Sequence, residues 1–317
     1  MKVQEIYKLA VELGIKNDLR SKERIRKILK RIKEKYEKLD QKKKEEFDPE
    51  KLWNPYSDTR VYFDTGKKVK KILAGIDIGT GEVMLAEKLG NIDLILAHHP
   101  LGKGLSCLDD VMHLQADVLE QYGVPINIAE SVMKPRISEI FRKVNPVNVN
   151  QPIDAAELVN ISIMSVHTPA DNLVANFIKK KIAAKKFEYV GEILEYLKEI
   201  PEYKEAISYG QGPWLLAGHE DNRAGKIAIT ELTGGTEGSP KIYKYMAQAG
   251  IGTVIGMHLS DEHKEAAEKA HLNVILAGHV SSDSIGMNLF LDELEKKGIE
   301  IVTCSGITQV KRNSRKI

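Results

Sequence analysis

Two adjacent histidines, His98 and His99, follow the apolar run 92–97 and precede Pro100, which stops a strand and fixes the chain direction. Neighbouring residues at a strand end can point to either side of its plane, so two imidazoles there could reach two different metal ions. His279 stands four residues before Asp283. If a helix begins there, both side chains share one face and can bind one ion, while Ser281 or Ser282 can serve as the cap. His167, after the apolar run 161–166, precedes Asp171 by the same four residues and offers a third imidazole and carboxylate pair.

No cysteine belongs to this set: Cys107 and Cys304 are isolated and read as reduced thiols. Mixed nitrogen and oxygen donors suit zinc, iron, manganese, cobalt or nickel rather than calcium. Five ligands shared by two ions leave positions for water and substrate, as a catalytic centre requires.

Weaker signals lie nearby. Residues 74–81 resemble the first phosphate loop of the actin and hexokinase ATPases, but the next residues have helical spacing where that loop continues into a hairpin. The glycine-rich stretch 234–239 lacks the lysine of a P-loop and reads as a structural turn. His219 and Glu220 read as a loop at the mouth of the site. His258 and His263 flank a strand end, where they line the pocket or start a surface helix at Ser260.

The elements that must carry these residues alternate. Short apolar runs at 71–77, 92–97, 161–166, 226–232, 252–256 and 273–277 read as strands, most of them separated by amphipathic helices, which predicts an α/β fold. An internal repeat falls on the histidines: Ala-Glu-Lys then Ile-Leu-Ala-His-His99 recurs as Ala-Glu-Lys then Ile-Leu-Ala-Gly-His279. It implies two related lobes that each deliver a histidine from a strand end, where ligand sites of open α/β sheets lie.

Ahead of these elements, apolar stripes at Val3, Ile6, Tyr7, Ala10, Leu13 and at Ile25, Ile28, Leu29, Ile32, Tyr36 predict a helical hairpin, closed by a proline-containing linker at 47–58. The expected layout is a basic hairpin extension at 1–55, a first lobe at 56–172, connecting helices and loop at 173–225, and a second lobe at 226–317.

The motifs His98-His99-Pro100, His167-Thr168-x-x-Asp171 and Gly278-His279-x-x-x-Asp283, in this order, resemble the NIF-three family (NGG-one-interacting factor three), often labelled GTP cyclohydrolase I type 2 homologues. The resemblance covers roughly residues 61–308. It implies a pair of related α/β lobes around a dinuclear metal centre, assembled as a hexamer. Carried over, the metal ligands are His98, His99, Asp171, His279 and Asp283, and the cofactors are two divalent ions; His167, the candidate catalytic residue, is placed to move a proton or to orient Asp171. Two departures stand out: the family usually has glutamate where Asp283 stands, and the hairpin is outside the family's usual core.

The activity this implies is metal-dependent hydrolysis of a nucleotide or phosphate ester; the alternative is a non-catalytic protein for metal storage, delivery or partner docking. The formal charge of +2 hides opposed parts. Residues 16–46 carry 14 basic and 7 acidic side chains, and Lys311, Arg312, Arg315 and Lys316 add four more cations, so the rest sums to −9. The basic run reads first as a solvated helix face and second as a phosphate-backbone contact. With 42% hydrophobic and 29% charged residues, collagenous and disordered classes are excluded. No signal-peptide layout opens the sequence and no apolar run spans a bilayer, so a cytoplasmic protein without membrane partners is expected.

Overall fold

The computed structural model describes residues 1–312, so Arg315 and Lys316 of the basic tail lie outside the described residues. Its strands are β1 (Arg60–Phe63), β2 (Lys71–Gly75), β3 (Leu94–Ala97), β4 (Ser162–Ser165), β5 (Trp214–Ala217), β6 (Lys226–Glu231), β7 (Ile251–Gly256), β8 (Asn273–Leu276) and β9 (Glu300–Thr303). They form two mixed sheets with helices packed against them, the α/β architecture that the alternating pattern predicts. No helix among the described residues is long and apolar enough to cross a membrane.

The first sheet has the order β1-β4-β3-β2-β9 and the second β5-β8-β7-β6. In the first, β4, β3, β2 and β9 run parallel, in the second β8, β7 and β6, and each sheet carries one antiparallel edge strand, β1 against β4 and β5 against β8. Parallel strands covered on both faces read as near-continuous apolar runs with their residues out of solvent. The residues of β3, β4 and β8 are accordingly all buried. Register then brings the strand ends into line. Gly75 pairs with Ala97 and Ala97 with Ser165, so Asp77, His98, His99 and His167 emerge at one edge. Gly256 pairs with Leu276, which puts His258 and His279 together at the corresponding edge of the other sheet.

This order changes the meaning of the sequence repeat. Matching the sheets strand for strand sets β3 against β7 and β4 against β8. The topological counterpart of His279 and Asp283 is therefore His167 and Asp171, each pair opening the helix after the strand beside the antiparallel edge. The counterpart of His99 is His258. The repeat joined β3 to β8 on local composition alone, because any buried strand that ends at a histidine reads alike.

The expected segment boundaries are also crossed. β9 comes from the last segment yet pairs with β2, and β5 comes from the connecting segment yet edges the second sheet. Residues 172 and 173 lie within one continuous helix, Thr168–Ala183.

The N-terminal residues are built into the molecule. Helix Val3–Asn17 buries Val3, Ile6, Tyr7, Ala10 and Val11 in the main hydrophobic core, beside Ala170, Val174 and Ile178 of helix Thr168–Ala183. Helix Lys22–Glu37 buries only Ile25, so its charge run is mainly a solvated face. The segment 47–58 is no free linker: Arg60 pairs with Asp48 and Glu50, Glu50 accepts a hydrogen bond from Tyr7, and Asn54, Tyr56 and Asp58 are buried. Its prolines shape a packed turn, Pro49 opening the 3-10 helix Pro49–Leu52.

Candidate metal centre

Three imidazoles from the first sheet are each oriented by a hydrogen bond at Nδ1. His98 donates to the carbonyl of Val166 at 3.0 Å, His99 to Asp77 at 2.6 Å, and His167 to Asp58 at 2.7 Å. With Nδ1 occupied, Nε2 is left to face inward on all three, the arrangement by which outer partners fix the tautomer of metal-ligating histidines. Asp58 is fully buried and also accepts from the amide and hydroxyl of Thr168, so it ties the start of helix Thr168–Ala183 to the imidazole of His167.

From the second sheet, Gly278 turns β8 into helix His279–Glu295 with φ of 101°, a left-handed conformation. A side chain there would be strained and would strike Ser281 Oγ. Four residues apart on that helix, His279 and Asp283 share a face, as their spacing predicts. Helix Thr168–Ala183 presents Asp171 beside them. Gly286 permits this approach, since a β-carbon on it would lie 2.4 Å from the Ala170 carbonyl oxygen.

The inward atoms form two groups that share Asp283. His98 Nε2 lies 3.4 Å from Asp171 Oδ1 and 3.4 Å from Asp283 Oδ1. His99 Nε2 lies 3.3 Å from His279 Nε2 and 3.6 Å from Asp283 Oδ2, with 3.4 Å closing the third side. Ligand atoms about 2.1 Å from one tetrahedral ion lie about 3.4 Å from each other, so these separations have the size of a metal site's edges. A third group, His98, His99 and His167, brings the remaining imidazole into reach.

The electrostatics point the same way. His98 Nε2, Asp171 Oδ1 and Asp283 Oδ2 are buried with no hydrogen-bond partner. Unpartnered buried polar atoms are costly unless something pairs with them. Burial, reinforced by the charges of Asp283 and Asp58, pushes the Asp171 carboxyl well above the usual range. Asp283 is held well below it, because the surrounding histidines outweigh its burial. Burial lowers His279 to about 4, whereas at His99 burial is outweighed by Asp283 and Asp77, which raise it to about 10. One cavity thus drives one carboxyl towards neutrality and one imidazole towards a cation, a conflict that divalent ions bound to deprotonated ligands would relieve.

All five expected ligands, His98, His99, Asp171, His279 and Asp283, come together, and these groups could hold a metal ion. Asp283 reaches the cluster although it is shorter than glutamate. His167 joins the cluster but does not hydrogen-bond Asp171, its Nε2 lying 3.9 Å from Asp171 Oδ2.

His258 borders the site, its ring 4.4 Å from that of His279 and its Nδ1 3.5 Å from Glu237, which Arg136 holds. His263 is a satisfied core residue between Ser260 and the Gly238 carbonyl. His219 and Glu220 are not at the mouth. They follow β5, whose antiparallel run carries them to the opposite end of the sheet. The stretch 234–239 is a structural turn whose carbonyls accept from Gln115, though Gly235, Thr236 and Glu237 also line the clefts.

Asp58 and Asp77 are the contributors that sequence reasoning missed. One lay in the supposed linker and the other in the loop weighed as a phosphate binder, and nothing in their spacing marks them as partners of distant histidines.

No protein-family model matches this chain, nor does any curated protein. Among solved structures it is similar to a NIF3 superfamily protein from Sphaerobacter thermophilus, with a TM-score of 0.77 over 96% of this chain and 98% of that one, at 22% identity. The chain has the NIF3 superfamily fold. A more distant likeness is to reduced HcgD from Methanocaldococcus jannaschii, with a TM-score of 0.52 and 19% identity over 83% of this chain and 94% of that one. Within the expected extension, helix Val3–Asn17 packs into the main core, whereas helix Lys22–Glu37 buries only Ile25.

Proposed function

We propose that this NIF3-fold chain binds two divalent metal ions and acts as a metal-dependent hydrolase on a nucleotide or other phosphate ester. The observation that carries the reading is the position of Asp283, whose Oδ1 faces His98 and Asp171 while its Oδ2 faces His99 and His279. That is how a carboxylate shared by two ions would stand. In this reading His98, Asp171 and Asp283 hold one ion, and His99, His279 and Asp283 the other. When bound, such ions supply Lewis acidity and lower the pKa of a nearby water.

The chain's own residues do the rest. His167, fixed through Nδ1 by Asp58, turns Nε2 towards the cleft and moves a proton there. A cleft of about 500 Å³ opens in front of His99 and His279, with Ile78, Pro100, Leu101, Leu105 and Leu108 as an apolar wall. That wall suits the flat face of a base, with the ester directed at the metals. The reading also takes assembly into a hexamer from the family resemblance, which sedimentation tests.

The functional test is metal content and turnover measured together on a panel of nucleotides and phosphate esters. His99→Ala and Asp171→Ala should abolish turnover and reduce bound metal. Full metal occupancy without turnover of any compound would favour the storage or docking role instead.

A further inference from the structure

We infer that the N-terminus of helix His279–Glu295 holds a second ligand, a phosphoryl group, in a cleft on the far side of the helix from the metal cluster. The inference goes beyond the metal reading and does not depend on it. Successive helical residues are turned by about 100°, so Ser281 stands about 200° from His279 and faces away from the side that His279 and Asp283 share. It lines a separate cleft of about 380 Å³ with Val280, Tyr209, Gln211, Ser305 and Thr308.

Three observations make this cleft fit an anion. Ser281 is 6% exposed and its Oγ is buried with no hydrogen-bond partner, a donor waiting for an acceptor. The helix is 17 residues long, its cap residue Gly278 offers no side chain, and its first turn holds no acidic residue. The amides of His279, Val280 and Ser281 find no acceptor among the described residues, and the positive end of the helix dipole adds to them. No residue lining the cleft carries a carboxylate, whereas Asp171, Glu231, Glu237 and Asp283 line the pocket on the metal side. One helix terminus would thus serve two charges, its imidazole and carboxylate turned to cations and its amides and hydroxyl to an oxyanion.

Equilibrium dialysis of the full, metal-loaded chain against labelled inorganic phosphate tests this. Binding is expected, and it should persist after the metal is chelated. Ser281→Ala, which removes only the hydroxyl and suits a helix, should weaken binding by about tenfold, the loss of one hydrogen bond to a charged group. Ser281→Thr should restore it, and metal content should stay unchanged in both variants. Absence of binding, equal binding by Ser281→Ala, or binding that disappears with the metal would each overturn the inference, the last by assigning phosphate to the metal cluster.

Discussion

Asp283 Oδ1 lies 3.4 Å from His98 Nε2, and both atoms belong to buried side chains that come from different sheets. The other oxygen of the same carboxylate faces His99 and His279. Because it serves both groups, under the two-ion proposal Asp283→Ala is expected to lose both ions, whereas His279→Ala should retain the ion assigned to His98 and Asp171. Elemental analysis separates these outcomes, and loss of a single ion from Asp283→Ala would refute the shared role.

In the proposed centre, Asp77 and Asp58 would act on a bound metal through the imidazoles of His99 and His167. Asp77 has a side chain 73% exposed, so Asp77→Asn should leave stability unchanged while lowering metal affinity about 10- to 100-fold, the usual effect of removing an outer partner. Competition with a chromogenic chelator measures the affinity and thermal melting the stability. Asp58→Asn should weaken both, since Asp58 also holds the start of helix Thr168–Ala183.

The N-terminal helix should be indispensable. Tyr7 is 1% exposed and donates a hydrogen bond to Glu50, so Tyr7→Ala is expected to cost about 3–5 kcal/mol. Deletion of residues 1–17 uncovers the core face of helix Thr168–Ala183 and should prevent folding. Urea unfolding of the variant and soluble yield of the deletion measure these effects, and a cooperative, native-like deletion protein would contradict the packing described.

Gly286 sets the spacing of the two helices that carry Asp171 and Asp283. Gly286→Ala places a methyl group where the Ala170 carbonyl already stands and should destabilise the fold by about 1–3 kcal/mol. Because the strain falls between the ligand-bearing helices, bound metal should decline as well. Unchanged metal content alongside reduced stability would show that the helices yield elsewhere.

Glu231 predicts a pH dependence. Burial raises its carboxyl from the ordinary 4.5 to about 7, with the Gly238 amide opposing the rise and Glu237 adding to it. A pKa raised in the folded state means the folded chain binds the proton more tightly than the unfolded one. Its contribution is present in full below about pH 4.5 and is lost as pH rises through about 7. Urea titrations of chelator-treated protein at several pH values should show this decline, and Glu231→Gln should flatten it by up to roughly 3 kcal/mol.

What could be read from the chain alone was local. The alternation of apolar runs and helices is written in period and composition, and the pairs His167 with Asp171 and His279 with Asp283 follow from the rise of a helix. His98 and His99 are neighbours, so their placement at a strand end needed no tertiary knowledge. These residues reach one another because parallel register aligns the ends of β2, β3 and β4 in one sheet and of β7 and β8 in the other.

The remainder depended on pairings between residues far apart in the chain. Asp58 and His167 are separated by 109 positions, Asp77 and His99 by 22, and no periodicity links either pair. The histidine repeat misled for the same reason: similar strand ends look equivalent in sequence, whereas equivalence is fixed by neighbours in the sheet. Helix Val3–Asn17 was legible as a helix but not as core, because an apolar stripe states that a face must be covered without naming what covers it. That choice was made by helix Thr168–Ala183, whose first turn also delivers Asp171 to the histidine and aspartate cluster.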